Sequence, residues 1–286
     1  MFSRRTFLLN MALLAGGLLN AGRLGAFYKK KRGMKVRLLR NATLVVEVAG
    51  KKILVDPMLG KKDSMKPIEM ASNAIRIPMV ELPLTEQELR GLVQSIDAVM
   101  LTHMHRDHWD EAARNLLPKD ILLFCQPEDA GKLREQGFTN LQPVADHVEW
   151  QRIAIHRTGG QHGTGEIGKM MAPVSGFVLD DGQRKLYIAG DTIWCEEVAD
   201  VLDTYRPDWV VVNSGAAQFL QGDPITMTAA DVITTAKHSP AAKLFAVHME
   251  TINHCYLTRA GLKQAVSAAG LDARVNVPAD GEWFIG

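Results

Sequence analysis

Ten residues constrain this chain more than any others. The stretch LTHMHRDHWD, positions 101–110, carries three of the nine histidines in the sequence together with two aspartates. Donors at this density need a scaffold that aims them at a common centre. The apolar run before them, SIDAVM (95–100), has the character of a buried strand, and WDEAARNLL (109–117) has helical spacing. The cluster therefore sits where a strand ends and a helix begins, a usual place for a site built on a rigid sheet. On an extended chain alternate residues face one side, which pairs His103 with His105, whereas Asp107 and His108 need a turn to face the same point. A helix cap would account for Asp107 or Asp110. It leaves three imidazoles within six residues unexplained, and metal ligation uses all of them.

At 286 residues, 47% apolar and 23% charged, the composition is that of an ordinary globular protein. The net charge of +1 hides an uneven distribution. Residues 1–40 hold ten Lys or Arg and no acid, leaving 23 basic against 32 acidic residues in 41–286. An acidic body gives no support to a nucleic-acid track, so no nucleic-acid partner is expected. The basic stretch YKKKRGMK follows an apolar run and reads as a linker or membrane-flanking segment. The opening, MFSRRTFLLNMALLAGG, resembles a twin-arginine export signal through Ser3, Arg4, Arg5, Phe7 and Leu8, with no charge from Thr6 to Gly22. Residues 1–33 are thus expected to be a signal peptide or an N-terminal anchor with a basic linker. They would deliver the protein to the periplasm or hold it at the outer face of the inner membrane. Cys125, Cys195 and Cys255 are too few and too widely spaced for a disulfide framework.

Beyond the linker, VRLLRNATLVVEVAGKKILVDPML (36–59) reads as three β-stretches, with a hairpin turn at AGKK and an end at Asp56-Pro57. Thr85 with Glu88 three residues on forms a capping box for a helix over LTEQELRGLVQSI. After the histidine cluster come a strand at ILLFC, a helix at PEDAGKLREQG and a strand near NLQPV. EWQRIAIHRTGG reads as one strand, followed by a long loop rich in Gly and Met. SGFVLDDGQRKLYIAGD reads as a hairpin through Asp181-Gly182. Helices and strands alternate to the end at EWFIG. Two sheets covered by helices in one α/β domain, from about 34 to 286, is the natural packing.

A two-metal hydrolytic site needs about seven ligands, one of them shared. The cluster supplies four, and His162 in TGGQHGTG, Asp191 in LYIAGDT and His248 in LFAVHME each follow an apolar strand or a glycine turn. The order H-x-H-x-D-H, then a lone His, an Asp after an apolar strand and a final His resembles the metallo-β-lactamase superfamily across nearly all of 36–286. The resemblance implies an αββα four-layer sandwich of two mixed sheets flanked by helices, and a binuclear metal-dependent hydrolase. His103, His105 and His162 would hold one divalent ion, Asp107, His108 and His248 the other, and Asp191 would bridge them. Zinc suits five His and two Asp, with manganese and iron as alternatives. GGQHG, AGDTIWC, VHMET and the opening hairpins look closest to the branch of ascorbate-6-phosphate lactonase and N-acyl-phosphatidylethanolamine phospholipase D. Zinc β-lactamases of the commonest class use a cysteine at the second ion. Here Cys195 lies four residues beyond Asp191, which disfavours antibiotic hydrolysis.

The implied chemistry is attack by an activated hydroxide on a small ester, lactone or phosphodiester, with Asp107 orienting the nucleophile. A phospholipase-D-like action on membrane lipid and a metal-binding envelope protein without turnover are the two rivals. His254, in METINHC, is a second catalytic candidate, either donating a proton to the small-molecule substrate or holding its anionic group; the alternative is a surface-loop histidine. His147, His156 and His238 are expected to be structural or solvent-facing. Trp194, Cys195, Met170 and Met171 are open between pocket wall and plain packing.

Overall fold

Hairpins open the fold, and turn chemistry sets them. Strands β1 (Lys35–Arg40), β2 (Thr43–Val48) and β3 (Lys51–Val55) form an antiparallel meander. Its second turn places Ala49 and Gly50 at φ 50° and 81°, the two positive values that match a tight hairpin to the twist of its strands. The computed structural model describes residues 33–171 and 173–286. The export segment expected over 1–33 lies, apart from Gly33, outside the described residues. Gly33–Gly286 form one compact unit, and among the described residues no helix is long and apolar enough to cross a membrane.

After β3 the first sheet continues in parallel with β4 (Ala98–Met100), β5 (Leu122–Cys125) and β6 (Leu141–Pro143). The second sheet starts with an antiparallel run of β7 (His147–Trp150), β8 (Ile153–Thr158), β9 (Gly176–Asp180) and β10 (Lys185–Ile188). It then turns parallel through β11 (Trp209–Asn213), β12 (Lys243–Val247) and β13 (Val275–Asn276). The last strand, β14 (Trp283–Ile285), returns to the first sheet beside β1. Among the described residues each sheet has seven strands, in the orders β14-β1-β2-β3-β4-β5-β6 and β13-β12-β11-β10-β9-β8-β7.

Side-chain alternation shows that both faces of each sheet are covered. On β1 to β3, Leu38, Val46 and Val55 point into a core shared with Phe177, Ile188 and Phe245 of the other sheet. Their neighbours Leu39, Val45 and Leu54 point the other way, toward Trp109, Leu133 and Phe138. Helices α1 (Glu86–Ser95), α2 (Glu111–Leu116) and α3 (Ala130–Glu135) cover that outer face. After α4 (Gly165–Met170), helices α5 (Glu196–Tyr205), α6 (Ala229–His238) and α7 (Arg259–Ala268) cover the outer face of the second sheet. The order of layers is helix, sheet, sheet, helix, as expected from the sequence.

The Thr85 cap forms as its spacing predicts: Glu88 N–H donates to Thr85 Oγ1, and Thr85 N–H to the Glu88 carboxylate at 2.8 Å. Three local readings differ. EWQRIAIHRT is two strands, β7 and β8, because Gln151 and Arg152 take φ 51° and 68° and close a tight hairpin without a glycine or asparagine to announce it. The loop after His162 contains α4, one short helix whose sequence, GEIGKM, carries two glycines. The two-residue β13 is too short to leave a period-2 signal.

One buried cation fixes the long segment between β3 and α1. Arg40 is fully buried, and its guanidinium donates to the carbonyls of Met58, Gly60 and Val80 at 2.8–3.0 Å. Burial lowers its pKa to about 10 despite the nearby Asp110 and Asp280. These bonds satisfy three carbonyls and hold that segment along one edge of the site.

Candidate metal centre

Chain geometry gathers the histidine cluster in one turn. Met100 ends β4, and His108 and Trp109 both donate their N–H groups to the His105 carbonyl at 2.9 Å. That turn carries Asp107 and His108 back over His103. Asp110 then caps α2, accepting from Ala113 N–H at 2.7 Å, so the capping role falls to Asp110 and leaves Asp107 free. From the second sheet come His162 on the loop after β8, Asp191 after β10 and His248 after β12. Asp191 and His248 follow strands of the parallel half of that sheet, where open α/β sheets present their sites, whereas His162 follows the antiparallel β8.

All seven residues converge. Donor atoms of His103, His105 and His162 form one group and those of Asp107, His108, Asp191 and His248 another, within 4.8 Å of one another in each. Asp191 Oδ2 lies between them, 3.8 Å from His103 Nε2, 3.6 Å from His162 Nε2 and 3.2 Å from His108 Nε2. Asp107 Oδ2 is 3.1 Å from His248 Nε2, which is itself 3.2 Å from His108 Nε2.

Partners behind the rings set their tautomers. His162 Nδ1 is 2.7 Å from the Ile225 carbonyl, which only accepts, so the proton is assigned to Nδ1 and the Nε2 lone pair points inward. His108 Nδ1 meets Asp56 Oδ2 at 2.9 Å with the same consequence. Asn213 donates to Asp191 Oδ1 at 2.6 Å, leaving Oδ2 for the centre. Thr102 Oγ1 lies 3.0 Å from His103 Nδ1 and donates to Asp56 at 2.7 Å. Inward lone pairs, two carboxylates and no thiolate form a donor set that fits divalent zinc, manganese or iron.

Electrostatics point the same way. Burial opposes charge on His108, yet Asp191, Asp107 and Asp56 push it up to about 10. Burial likewise opposes charge on His248, and Asp191 and Asp107 raise it well above the ordinary imidazole value. Against the cost of burial, His108 and His248 hold Asp107 and Asp191 well below the carboxylate range. Burial lowers His103, His105 and His162. A protonated pair at the second cluster therefore balances its two carboxylates, in the place a divalent ion would take.

A cavity of about 180 Å³ opens over both clusters, lined by His105, Asp107, His162 and Asp191 together with Ile68, Arg106, Met171, Phe219, Ile225 and His254. His254 is 6% exposed, its Nδ1 has no hydrogen-bond partner, and burial lowers its pKa to about 4. A wider groove of about 650 Å³ beside β13 and β14 contains none of the seven residues, so donor chemistry rather than size selects the site.

The remaining sequence candidates lie elsewhere. His147 and His156 stack across β7 and β8, and His238 pairs with Asp203 at 3.0 Å. Trp194 packs beside His238, Cys195 precedes α5, and neither lines the cavity. Met171 does line it. Sequence reasoning passed over Asp56, Asn41, Thr102 and Asn213, all buried behind the donors. Only Asp56, before a proline at a strand end, left a visible signal.

Comparison with known proteins agrees with this geometry. A family model described as a beta-lactamase superfamily domain matches residues 51–249. The UPF0173 protein YddR of Bacillus subtilis is 37% identical over 255 residues, 88% of this chain and 99% of that protein. Two crystal structures each cover 88% of this chain and 99% of their own at TM-score 0.84: an isothiocyanate hydrolase from Delia radicum gut bacteria, 39% identical, and a possible metal-dependent hydrolase from Veillonella parvula, 31% identical. The chain belongs to the beta-lactamase superfamily, as a UPF0173-type metal-dependent hydrolase of the metallo-β-lactamase fold.

Proposed function

We propose that this protein hydrolyses a small apolar electrophile, with an isothiocyanate as the leading substrate class, using two divalent ions held by the seven residues. The observation that carries the reading is the cavity. At about 180 Å³ it is close to a site that accepts one benzene ring, roughly 150 Å³. Its apolar walls are Ile68, Met171, Phe219 and Ile225, beside Arg106 and His254. Three large apolar side chains close in sequence to wall residues, Met70, Met170 and Leu220, are 60–66% exposed. Apolar groups left in water around a site mark a binding surface. The 39% identical isothiocyanate hydrolase supports the same class.

The size and lining also rank the rivals. A diacyl phospholipid is several times larger than the cavity. A phosphodiester is the charged rival: the two ions would meet its charge, and Arg106 commits one N–H to the Pro67 carbonyl at 2.7 Å, but the apolar walls favour a neutral substrate. An ester or lactone presents a carbonyl carbon to the same attack and stands as the second reading. A metal-binding protein without turnover would have no use for an apolar cavity over a complete donor set.

His103, His105 and His162 would hold one divalent ion and Asp107, His108, Asp191 and His248 a second, which would lower the pKa of a water toward neutrality and act as a Lewis acid for developing charge. Asp107 accepts a hydrogen bond from the attacking water and orients it. His254, neutral at pH 7, presents its ring to the substrate heteroatom. The balance is one water per isothiocyanate: oxygen bonds to the central carbon, both protons pass to nitrogen, and the C–N bond breaks. The products are an amine and carbonyl sulfide. As part of the same proposal, the twin-arginine segment places this reaction in the periplasm or at the outer face of the inner membrane.

The test is a substrate panel on zinc- and manganese-loaded protein: benzyl isothiocyanate, an aryl ester, a lactone and a phosphodiester. Benzylamine release with the largest kcat/KM is expected. A phosphodiester as best substrate, or no turnover of any, overturns the reading.

A further inference from the structure

Donors at the centre come from two different sheets, and something other than the ions must set their spacing. The turn between β1 and β2 does so. Asn41 is fully buried and bonds in two directions. Its side-chain amide donates to the Asp107 carbonyl at 3.0 Å, and its own carbonyl accepts from His248 N–H at 3.0 Å. Asp107 belongs to the loop after β4 in the first sheet, and His248 follows β12 in the second. One residue therefore ties one donor from each sheet, Asp107 and His248, among the four of the second cluster.

The backbone explains why this residue is an asparagine. Asn41 has φ 57°, in the left-handed region that asparagine tolerates better than other residues bearing a Cβ. Glycine would accept the angle and lose the amide donor. His248 is also left-handed, at φ 66°. A histidine holds that conformation only where its surroundings over-determine it. Asn41 fixes the His248 N–H, and on the other side the close approach of Gly215 to the His248 carbonyl leaves no room for a Cβ.

We infer that Asn41 is a positioning residue for the second metal subsite, setting the distance between Asp107 and His248 and thereby the affinity for the ion there. The first subsite, His103, His105 and His162, has no bond to Asn41 and is independent of it. This inference rests on the two-ion reading above.

The test uses full-length protein, stripped of metal and titrated with zinc alone against a chelating indicator, in wild type, Asn41→Gly and Asn41→Asp. His162→Ala identifies which of the two dissociation constants belongs to the first subsite. Asn41→Gly keeps the left-handed angle and the backbone bond to His248 but removes the donor to Asp107. It should weaken the second ion by about 10- to 100-fold, the range for lost outer partners of metal ligands, and leave the first within about twofold. Asn41→Asp keeps shape and angle while replacing the donor with an acceptor, and should show the same selective loss. If Asn41→Gly shows no cooperative thermal melt, Asn41→Asp alone decides. Wild-type affinity for both ions in a folded variant, or equal weakening of both, overturns the assignment. A wild-type chain that takes up only one ion overturns the two-ion reading itself, before any variant is compared.

Discussion

Replacing Asp56 with Asn isolates what the carboxylate behind His108 contributes. Asp56 is 1% exposed and accepts three hydrogen bonds: Thr102 N–H at 2.8 Å, Thr102 Oγ1–H at 2.7 Å and His108 Nδ1–H at 2.9 Å. Asparagine keeps the volume and one acceptor oxygen, which can serve Thr102 N–H. Its NH₂ then faces His108 Nδ1, and a donor cannot meet a donor. When His108 is neutral, as metal ligation requires, its one proton then sits on Nε2, the atom 3.2 Å from Asp191 that faces the centre, and that nitrogen can no longer hold a metal ion. Hydrogen bonds to charged groups contribute roughly 1.5–3 kcal/mol and neutral ones about 0.5–1.5. Weakening two such bonds therefore costs about 2 kcal/mol, or roughly 4–8 °C in Tm for a domain of this size. Affinity for the second ion should fall further, by about 100-fold, at the upper end of the range for outer-shell changes. Zinc titration and thermal melts of metal-free Asp56→Asn check both numbers. A variant that melts several degrees lower yet binds both ions as tightly as wild type would refute the tautomer argument.

Other outcomes follow from the same geometry. Metal uptake at pH 8 should release about two protons, because metal ligation requires neutral imidazoles and metal-free His108, at about 10, and His248 are both raised; calorimetry in buffers of different ionisation enthalpy reads the count, and none released would contradict the assignment. His254 is lowered to about 4 by burial, so the unfolded chain takes its proton first. Its contribution is present above about pH 6.5 and is lost as pH falls toward 4, up to about 3 kcal/mol. Metal-free His254→Gln should accordingly lose less stability than wild type over that window, and parallel curves would remove His254 as the cause. Arg4→Lys with Arg5→Lys keeps the charge but not the guanidinium geometry and should leave folded protein in the cytoplasm; normal appearance outside it would sink the export proposal.

What the sequence made legible has a physical pattern. His103, His105, Asp107, His108, His162, Asp191 and His248 stand at strand ends, where local signals are strong and polar residues interrupt apolar runs. The alternation in β1 to β3 likewise exposes a sheet buried on both faces. Asn41 and Asn213 were illegible because their work is tertiary: each bonds a residue more than 20 positions away, and nothing in its own segment distinguishes it from an ordinary turn or strand-end asparagine. The β7–β8 turn was hidden for a different reason. Gln151 and Arg152 adopt left-handed angles that their own preferences do not suggest, and strand pairing on both sides imposes them.

The central claim is that two ions at one seven-residue centre perform the hydrolysis. Stepwise addition of zinc to metal-free protein, with benzylamine release from benzyl isothiocyanate measured at each step, tests it most directly. The account predicts little turnover at one equivalent and a plateau at two. Full turnover at one equivalent, or turnover that persists without metal, would contradict it.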